Sequence, residues 1–330
     1  MKKEVILTGI KPTGDLHIGN YLGAMQQMID FSKTRETFAF LADTHTLNFL
    51  QDARQVYDNT IKATAAYIAM GLDMEKTILF RQSDVPEVLE LSTLLMNVTP
   101  KGLMNRAHSY KDKVAKNEAD GRDKDDGVNM GLYTYPVLMA ADILIYDSTI
   151  VPIGADQKQH VEFARDIAGY FNNVYGEMFV MPEPLIKEDV GLIKGTDGRK
   201  MSKSYGNTLP LFGDESELRK KIMGIVTDSA SPEDKKNPDE STIFYYYKYF
   251  ATADEITAFR AKFENGGTGY GDLKKELFEK INSFLTAPRE IYNDLMANPE
   301  KIEKILADGA VRARPTAAAK LAAVKKAMLG

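Results

Sequence analysis

The sequence predicts an α/β fold: a parallel sheet with helices on both faces, followed by an all-helical C-terminal part. Three observations carry this. Short apolar strands alternate with longer helical patterns through the first half, which is the pattern of βαβ units. Strand signals fade after Asn207, and most of the rest has helical periodicity. At 330 residues the chain exceeds the roughly 250–300 at which one core stops growing.

The elements follow in order. Val5–Ile10 is a β-rich run that stops at a Lys-Pro-Thr-Gly turn, and a helix begins near Asn20. Residues 37–41 form a second apolar strand, followed after Asp52 by a helical stretch to Met70. Thr77–Arg81 is a third strand, and Pro86 opens the next helix at the favoured first-turn position. Residues 111–127 turn intensely polar and read as a solvated, mobile loop. Residues 130–146 read as a buried helix, Ile150–Ile153 as a strand and 156–171 as another helix. The Ala/Lys-rich end, 315–329, is helical again. A change of domain is expected at 209–214. In a sheet of this kind, ligands bind beyond the carboxyl ends of the strands.

Composition removes several chemistries. With no cysteine there is no disulfide, thiolate nucleophile or cysteine-ligated metal, and four histidines make a histidine-rich metal centre a poor expectation. Forty-two basic against 47 acidic residues give a net charge of −5, so any RNA contact must use a local basic surface. No apolar run approaches the ~18 residues of a membrane span, and the short stretch after Met1-Lys2-Lys3 does not make a secretory signal. The cytoplasm is the expected address.

Four segments carry candidate chemistry. In Thr8-Gly-Ile-Lys-Pro-Thr-Gly-Asp-Leu-His-Ile-Gly-Asn20 a strand ends, a glycine-bearing loop follows and a helix N-terminus comes next, a place for an anionic group. His17 and Asn20, three apart, share one side of the opening turn, and Gly19 leaves room for a flat ring. In Asp197-Gly-Arg-Lys-Met-Ser-Lys-Ser-Tyr-Gly-Asn207, Lys200 and Lys203 sit in a serine-rich loop without helical periodicity. Two ammonium groups on such a loop suit a departing pyrophosphate, although a solvated basic loop has the same composition. In Tyr135-Pro-Val-Leu-Met-Ala-Ala-Asp-Ile-Leu-Ile-Tyr146, Asp142 interrupts an apolar helix, where a carboxylate needs a hydrogen-bond donor from a neighbour or a ligand. In Val151-Pro-Ile-Gly-Ala-Asp-Gln-Lys-Gln-His160, Gly154 permits close backbone approach, and Asp156 suits both a helix cap and a ligand contact.

Taken together and in this order, these segments resemble the class I aminoacyl-tRNA synthetases. His17-Ile-Gly-Asn20 is similar to that class's His-Ile-Gly-His word, and Lys200-Met-Ser-Lys-Ser204 matches its Lys-Met-Ser-Lys-Ser word. Met139-Ala-Ala-Asp-Ile-Leu, with the segment from Val151 to His160, narrows the resemblance to the bacterial-type tryptophanyl branch. Thr227-Asp228-Ser229 and the C-terminal helices fit it too, so the resemblance spans essentially the whole chain.

The resemblance implies a Rossmann-like catalytic domain at 1–210, with an inserted helical, dimer-forming segment at about 85–145. It implies a helical domain at 211–330 that recognises the tRNA anticodon. Its substrates would be L-tryptophan, ATP carrying Mg²⁺ on its phosphates, and tRNA(Trp), and the enzyme would be a homodimer. Lys11, Pro12, Thr13, His17, Gly19, Asn20, Gly154, Ala155, Asp156 and Ile193 would line the ATP site, with Lys200, Met201, Ser202, Lys203 and Ser204 from the second loop. Asp142 would accept the indole N–H in a pocket with Leu7, His45, Tyr135, Met139, Val151 and Ile153, and Gln157 would hold the amino group. Lys113, or its neighbour Lys111, would join Lys200, Lys203, His17 and Asn20 in catalysis. The chain departs from many relatives at Lys11, where they carry glutamine, and from some at Leu7, where they carry phenylalanine. Its segment from Lys194 to Arg199 is also shorter than in some relatives.

From Glu303 to Gly330, six basic residues (Lys304, Arg312, Arg314, Lys320, Lys325, Lys326) face two acids (Glu303, Asp308). That surplus suits either phosphate contacts or a solvated helix face.

Overall fold

The protein is described from a computed structural model covering residues 4–154, 157–186 and 193–330. Five strands, β1 (Val5–Ile10), β2 (Glu36–Leu41), β3 (Thr77–Arg81), β4 (Ile150–Ile153) and β5 (Glu183–Ile186), form one parallel sheet in the order β3-β2-β1-β4-β5. The register places Ile10 beside Leu41 and Leu41 beside Arg81, so these strands end together along one edge. The order reverses between β1 and β4, and the loops leaving them diverge to open a crevice.

β5 escaped the sequence expectation because Pro184 lies inside it and Pro182 just before it. Proline is tolerated there because β5 is an edge strand. The helix after β1 runs over 18–32, but its middle, Tyr21–Met25, is π-helical, a distortion common beside functional sites.

Two apolar clusters cover the sheet. One gathers helix Ala53–Ala69 (Ile61, Ala65), the signature loops (Ile18, Met201) and the C-terminal helices (Phe244, Phe259, Leu277, Ile281). The other gathers helices Glu87–Leu95, Met130–Leu144 and Lys158–Tyr175. Beyond residue 211 every regular element among the described residues is a helix. The packing nevertheless crosses that boundary in both clusters.

One expectation is corrected here. Of residues 111–127, expected to form a mobile loop, the first part belongs to a helix, His108–Ala119. Buried Asn117 pins the following turn by donating to the carbonyls of Lys124 (3.0 Å) and Asp126 (2.8 Å). The helix expected over 315–329 is present as the last part of a longer one, Pro299–Leu329.

That last helix returns to the sheet and covers the outer edge of β3, an edge that would otherwise invite strand pairing. Arg312 donates to the carbonyls of Met74, Glu75 and Thr77 at 3.3–3.4 Å. Arg314 pairs with Glu87, Lys320 with Asp147, and Lys325 with Glu90. Four of the six basic residues singled out above are therefore engaged within the chain itself. The closest approach is at Gly309, where an added Cβ would lie 1.7 Å from the Leu79 carbonyl oxygen. Backbone cannot yield that much. Gly309→Ala should lower stability by about 3 kcal/mol or more, seen as a clear drop in the urea or thermal midpoint. An unchanged midpoint would show that the helix does not seat on β3 this closely.

Candidate active site

Beyond Ile10 the chain turns through Lys11-Pro12-Thr13-Gly14 and enters the helix with His17 at its cap. The His17 N–H donates to the Asn20 side-chain oxygen at 3.0 Å, which fixes both residues on the opening turn. His17 Nδ1 is buried against Gly19 at the helix cap, without a well-formed hydrogen bond among the described residues. Burial, assisted by the Lys203 charge, pulls the His17 pKa down to about 4, so the imidazole is neutral near pH 7. It is equipped to exchange hydrogen bonds there, not to carry charge.

The lysine-bearing loop docks directly on this turn. Lys203 donates to the Thr13 carbonyl at 2.9 Å, Ile18 N–H to the Leu209 carbonyl at 2.9 Å and Leu211 N–H to the Leu16 carbonyl at 3.1 Å. Met201 is buried, and its sulfur lies 3.3 Å from the Gly19 nitrogen. A Cβ on Gly19 would stand 2.8 Å from that sulfur, so glycine is what lets the two segments close on each other. Buried Asn207 holds the loop from inside. It accepts from Ser202 N–H (2.8 Å) and donates to Asp197 (2.7 Å) and the Lys200 carbonyl (3.0 Å). Ser202 accepts from Ser204 N–H at 3.3 Å, forming the short turn that presents Lys203. Lys200 is exposed, while Ile193 is buried with its carbonyl accepting from Met201 N–H at 2.8 Å.

Across the crevice, Tyr135, Met139 and Asp142 lie at spacings of four and three along helix Met130–Leu144, hence on one face. The Tyr135 hydroxyl meets His160 at 3.1 Å and accepts from Ser109 at 3.3 Å. Asp142 is only 2 % exposed, yet both its carboxylate oxygens have partners. One carboxylate oxygen, Oδ2, lies 2.8 Å from His45 Nε2, and Gln82 Nε2 spans both oxygens at 2.8 and 3.0 Å. Burial pushes the Asp142 pKa up, and the hydrogen bonds from His45 and Gln82 oppose it. Leu7 and Val151 are buried, and Ile153 and His45 are partly so.

Gln82 and Thr44 were not singled out from the sequence, because nothing local marks them. Their relevance rests on contacts across 60 and 38 residues of chain.

The remaining expected residues are more dispersed. Gly154 is exposed at the end of β4, and its carbonyl accepts from Gln157 N–H at 2.9 Å. Ala155 and Asp156 lie outside the described residues. Lys11 is exposed, with its ammonium 4.2 Å from the centre of the Phe49 ring, and Pro12 beside it is buried. Lys111 and Lys113 sit on helix His108–Ala119, not on a loop, and the Lys113 ammonium lies beside Gly127 instead of on either signature loop. Among the described residues no group of three or more His, Cys, Asp or Glu could hold a metal ion, and no helix is long and apolar enough to cross a membrane.

Comparisons agree with this geometry. The model of the family "tRNA synthetases class I (W and Y)" matches residues 2–286. The tryptophan–tRNA ligase of Campylobacter jejuni is 46% identical, with 96% of this chain and 97% of that protein aligned. The corresponding Neisseria meningitidis protein is 46% identical over 99% of this chain and 98% of its own length. The crystal structure of the C. jejuni tryptophanyl-tRNA synthetase with ADP and tryptophan superposes with a TM-score of 0.90 at 45% identity, covering 98% of both chains. The tyrosyl-tRNA synthetase of Archaeoglobus fulgidus, at 20% identity and a TM-score of 0.64, shares the fold.

Proposed function

The chain belongs to the class I tRNA synthetases of the W and Y group, and from that premise we propose its reaction in full. It activates L-tryptophan with ATP, giving tryptophanyl-adenylate and pyrophosphate, and transfers the tryptophan to the 3′-terminal adenosine of tRNA(Trp). The observation that carries the substrate assignment is Asp142, a buried carboxylate on an apolar helix, held by His45 and Gln82.

A tryptophan carboxylate oxygen attacks the α-phosphorus in line. The bond from that phosphorus to the β-bridging oxygen breaks, and pyrophosphate departs with the electron pair. The carboxylate is already a nucleophile at neutral pH, so the protein supplies alignment and positive charge and needs no base. Lys200 and Lys203 meet the charge developing on the β- and γ-phosphates, with Lys113 or Lys111 as a further cation delivered by its helix. The neutral His17 hydrogen-bonds the nucleotide beside Asn20, while Gly19, expected to leave room for the purine, instead has its open face filled by the Met201 sulfur and so lets the two loops close on each other. Lys11, Pro12, Thr13, Gly154, Ala155, Asp156, Ile193, Met201, Ser202 and Ser204 complete the ATP site. Mg²⁺ enters as part of the substrate, held by the ATP phosphates.

Asp142 accepts the indole N–H, Leu7, His45, Tyr135, Met139, Val151 and Ile153 form the slot, and Gln157 holds the amino group. In the second step a ribose hydroxyl of the tRNA attacks the adenylate carbonyl carbon, loses its proton and releases AMP. We assign tRNA binding to the helical region beyond 211, the working unit to a homodimer built on the 85–145 segment, and the setting to the cytoplasm.

ATP–pyrophosphate exchange with each of the twenty amino acids tests the reading. Tryptophan should dominate, with tyrosine and phenylalanine reduced by roughly 10²-fold or more. Exchange driven best by tyrosine, or by none of the twenty, would overturn it.

A further inference from the structure

The Asp142 carboxylate has a second layer of control. Gln82 is almost wholly buried at the end of β3, and its side-chain oxygen accepts a hydrogen bond from the Thr44 hydroxyl. The carboxylate decides which way the amide faces, because a flipped amide would set its oxygen against Asp142, and the Thr44 hydroxyl then anchors the amide oxygen in that orientation. With the oxygen held by Thr44, the NH₂ group spans Asp142 Oδ1 (2.8 Å) and Oδ2 (3.0 Å). His45 Nε2 reaches Oδ2 alone, at 2.8 Å.

A carboxylate oxygen has about two lone-pair sites. Those on Oδ2 are taken by His45 and Gln82, whereas among the described residues Oδ1 has a single donor, Gln82, and can accept a second. The support is itself clamped. Asp43, next to Thr44, accepts from the backbone N–H of Thr44 (2.9 Å) and of Ser83 (3.1 Å), and from the Ser83 hydroxyl. The loops after β2 and β3 are thereby tied together on both sides of the Thr44–Gln82 contact.

We propose that Thr44 and Gln82 are positioning residues for side-chain selection: they lock Asp142 as a pure acceptor whose open site is Oδ1, so that only a ring bearing a donor satisfies it. This rests on the substrate reading above and deepens it. The lock assigns the proton of His45 to Nε2, since two acceptors would not face each other at 2.8 Å. It also makes Thr44, which touches Asp142 only through Gln82, a determinant of specificity.

The test compares tryptophan with β-(3-benzothienyl)alanine, an analogue of the same shape with sulfur replacing N–H, in pyrophosphate exchange. The wild type should prefer tryptophan by roughly 10²-fold or more in kcat/KM. Thr44→Val should cut that preference about tenfold, one hydrogen bond's worth, while activity toward the analogue stays near wild type. Thr44→Ser keeps the hydroxyl and should restore the preference. Gln82→Leu should bring the ratio toward unity.

A preference unchanged in Thr44→Val, or activity lost equally for both substrates, would assign the pair a structural role and sink the inference. If Gln82→Leu does not fold, the Thr44→Val and Thr44→Ser pair decides alone. A wild type that does not favour tryptophan over its analogue contradicts the substrate reading itself, a result distinct from failure of the lock.

Discussion

Asp142→Ala is expected to lower kcat/KM for tryptophan by roughly 10²–10³-fold in pyrophosphate exchange, with the KM for ATP left near its wild-type value. The loss has two parts. The indole N–H enters the slot without an acceptor and forfeits the hydrogen bonds it made in water. The N–H groups of His45 and Gln82 also lose their shared partner in a place water scarcely reaches. Nothing in the arrangement carries this cost to the nucleotide, whose expected contacts lie on the signature loops.

Stability should behave differently. The Asp142 pKa is raised in the folded chain, so the native state holds its proton to a higher pH than the unfolded state does. Ionisation of this group therefore costs stability as pH climbs through the raised value. Removing it relieves that cost but orphans the buried donors of His45 and Gln82, so the two effects oppose each other and the melting temperature should fall less than tryptophan activation does. A large loss of stability with unchanged tryptophan kinetics would reverse the assignment.

Lys203→Ala should lower kcat for the exchange by roughly 10²–10³-fold with a smaller change in the KM for either substrate, because its charge matters most as pyrophosphate departs. Its ammonium is already docked on the Thr13 carbonyl. Lys200→Ala should cost a similar factor, and the double variant less than the product of the two, because both act on one leaving group. A spectroscopic signature accompanies the first variant. The Lys203 charge is the second cause of the low His17 pKa, after burial, so its removal should move that pKa up from about 4 without restoring the ordinary value. Imidazole proton shifts followed against pH would record it. A wild-type kcat in Lys203→Ala would show that the loop's cations are solvated decoration.

How much of this was readable in the sequence depended on how local each signal was. β1, β3 and β4 declared themselves as β-rich runs bounded by turn residues, and Asp142 stood out because a carboxylate inside an apolar helix needs a reason. The two signature loops were legible as words, but their mutual docking was not. The Gly19 contact with Met201 joins residues 182 apart, and no periodicity encodes it. Gln82 was missed for the same reason. It reads as an ordinary polar residue after a strand until Thr44 and Asp142 are placed around it.

Helix His108–Ala119 was hidden because its sequence is charged on nearly every side, so it lacks the apolar stripe that identifies a packed helix. The basic residues of the last helix show a different limit. Their count suited either phosphate contacts or a solvated face, whereas Arg312, Arg314, Lys320 and Lys325 place their donors on the body of the protein and fasten that helix to it. Charge surplus along a sequence measures neither exposure nor availability.

The most direct measurement is a crystal structure of this chain with tryptophan and a non-hydrolysable ATP analogue. The account predicts the indole nitrogen within roughly 3.2 Å of Asp142 Oδ1, with the Lys200 and Lys203 ammonium groups on the outer phosphates. An indole ring bound with its nitrogen turned away from Asp142, or a nucleotide lying clear of both lysines, would contradict it.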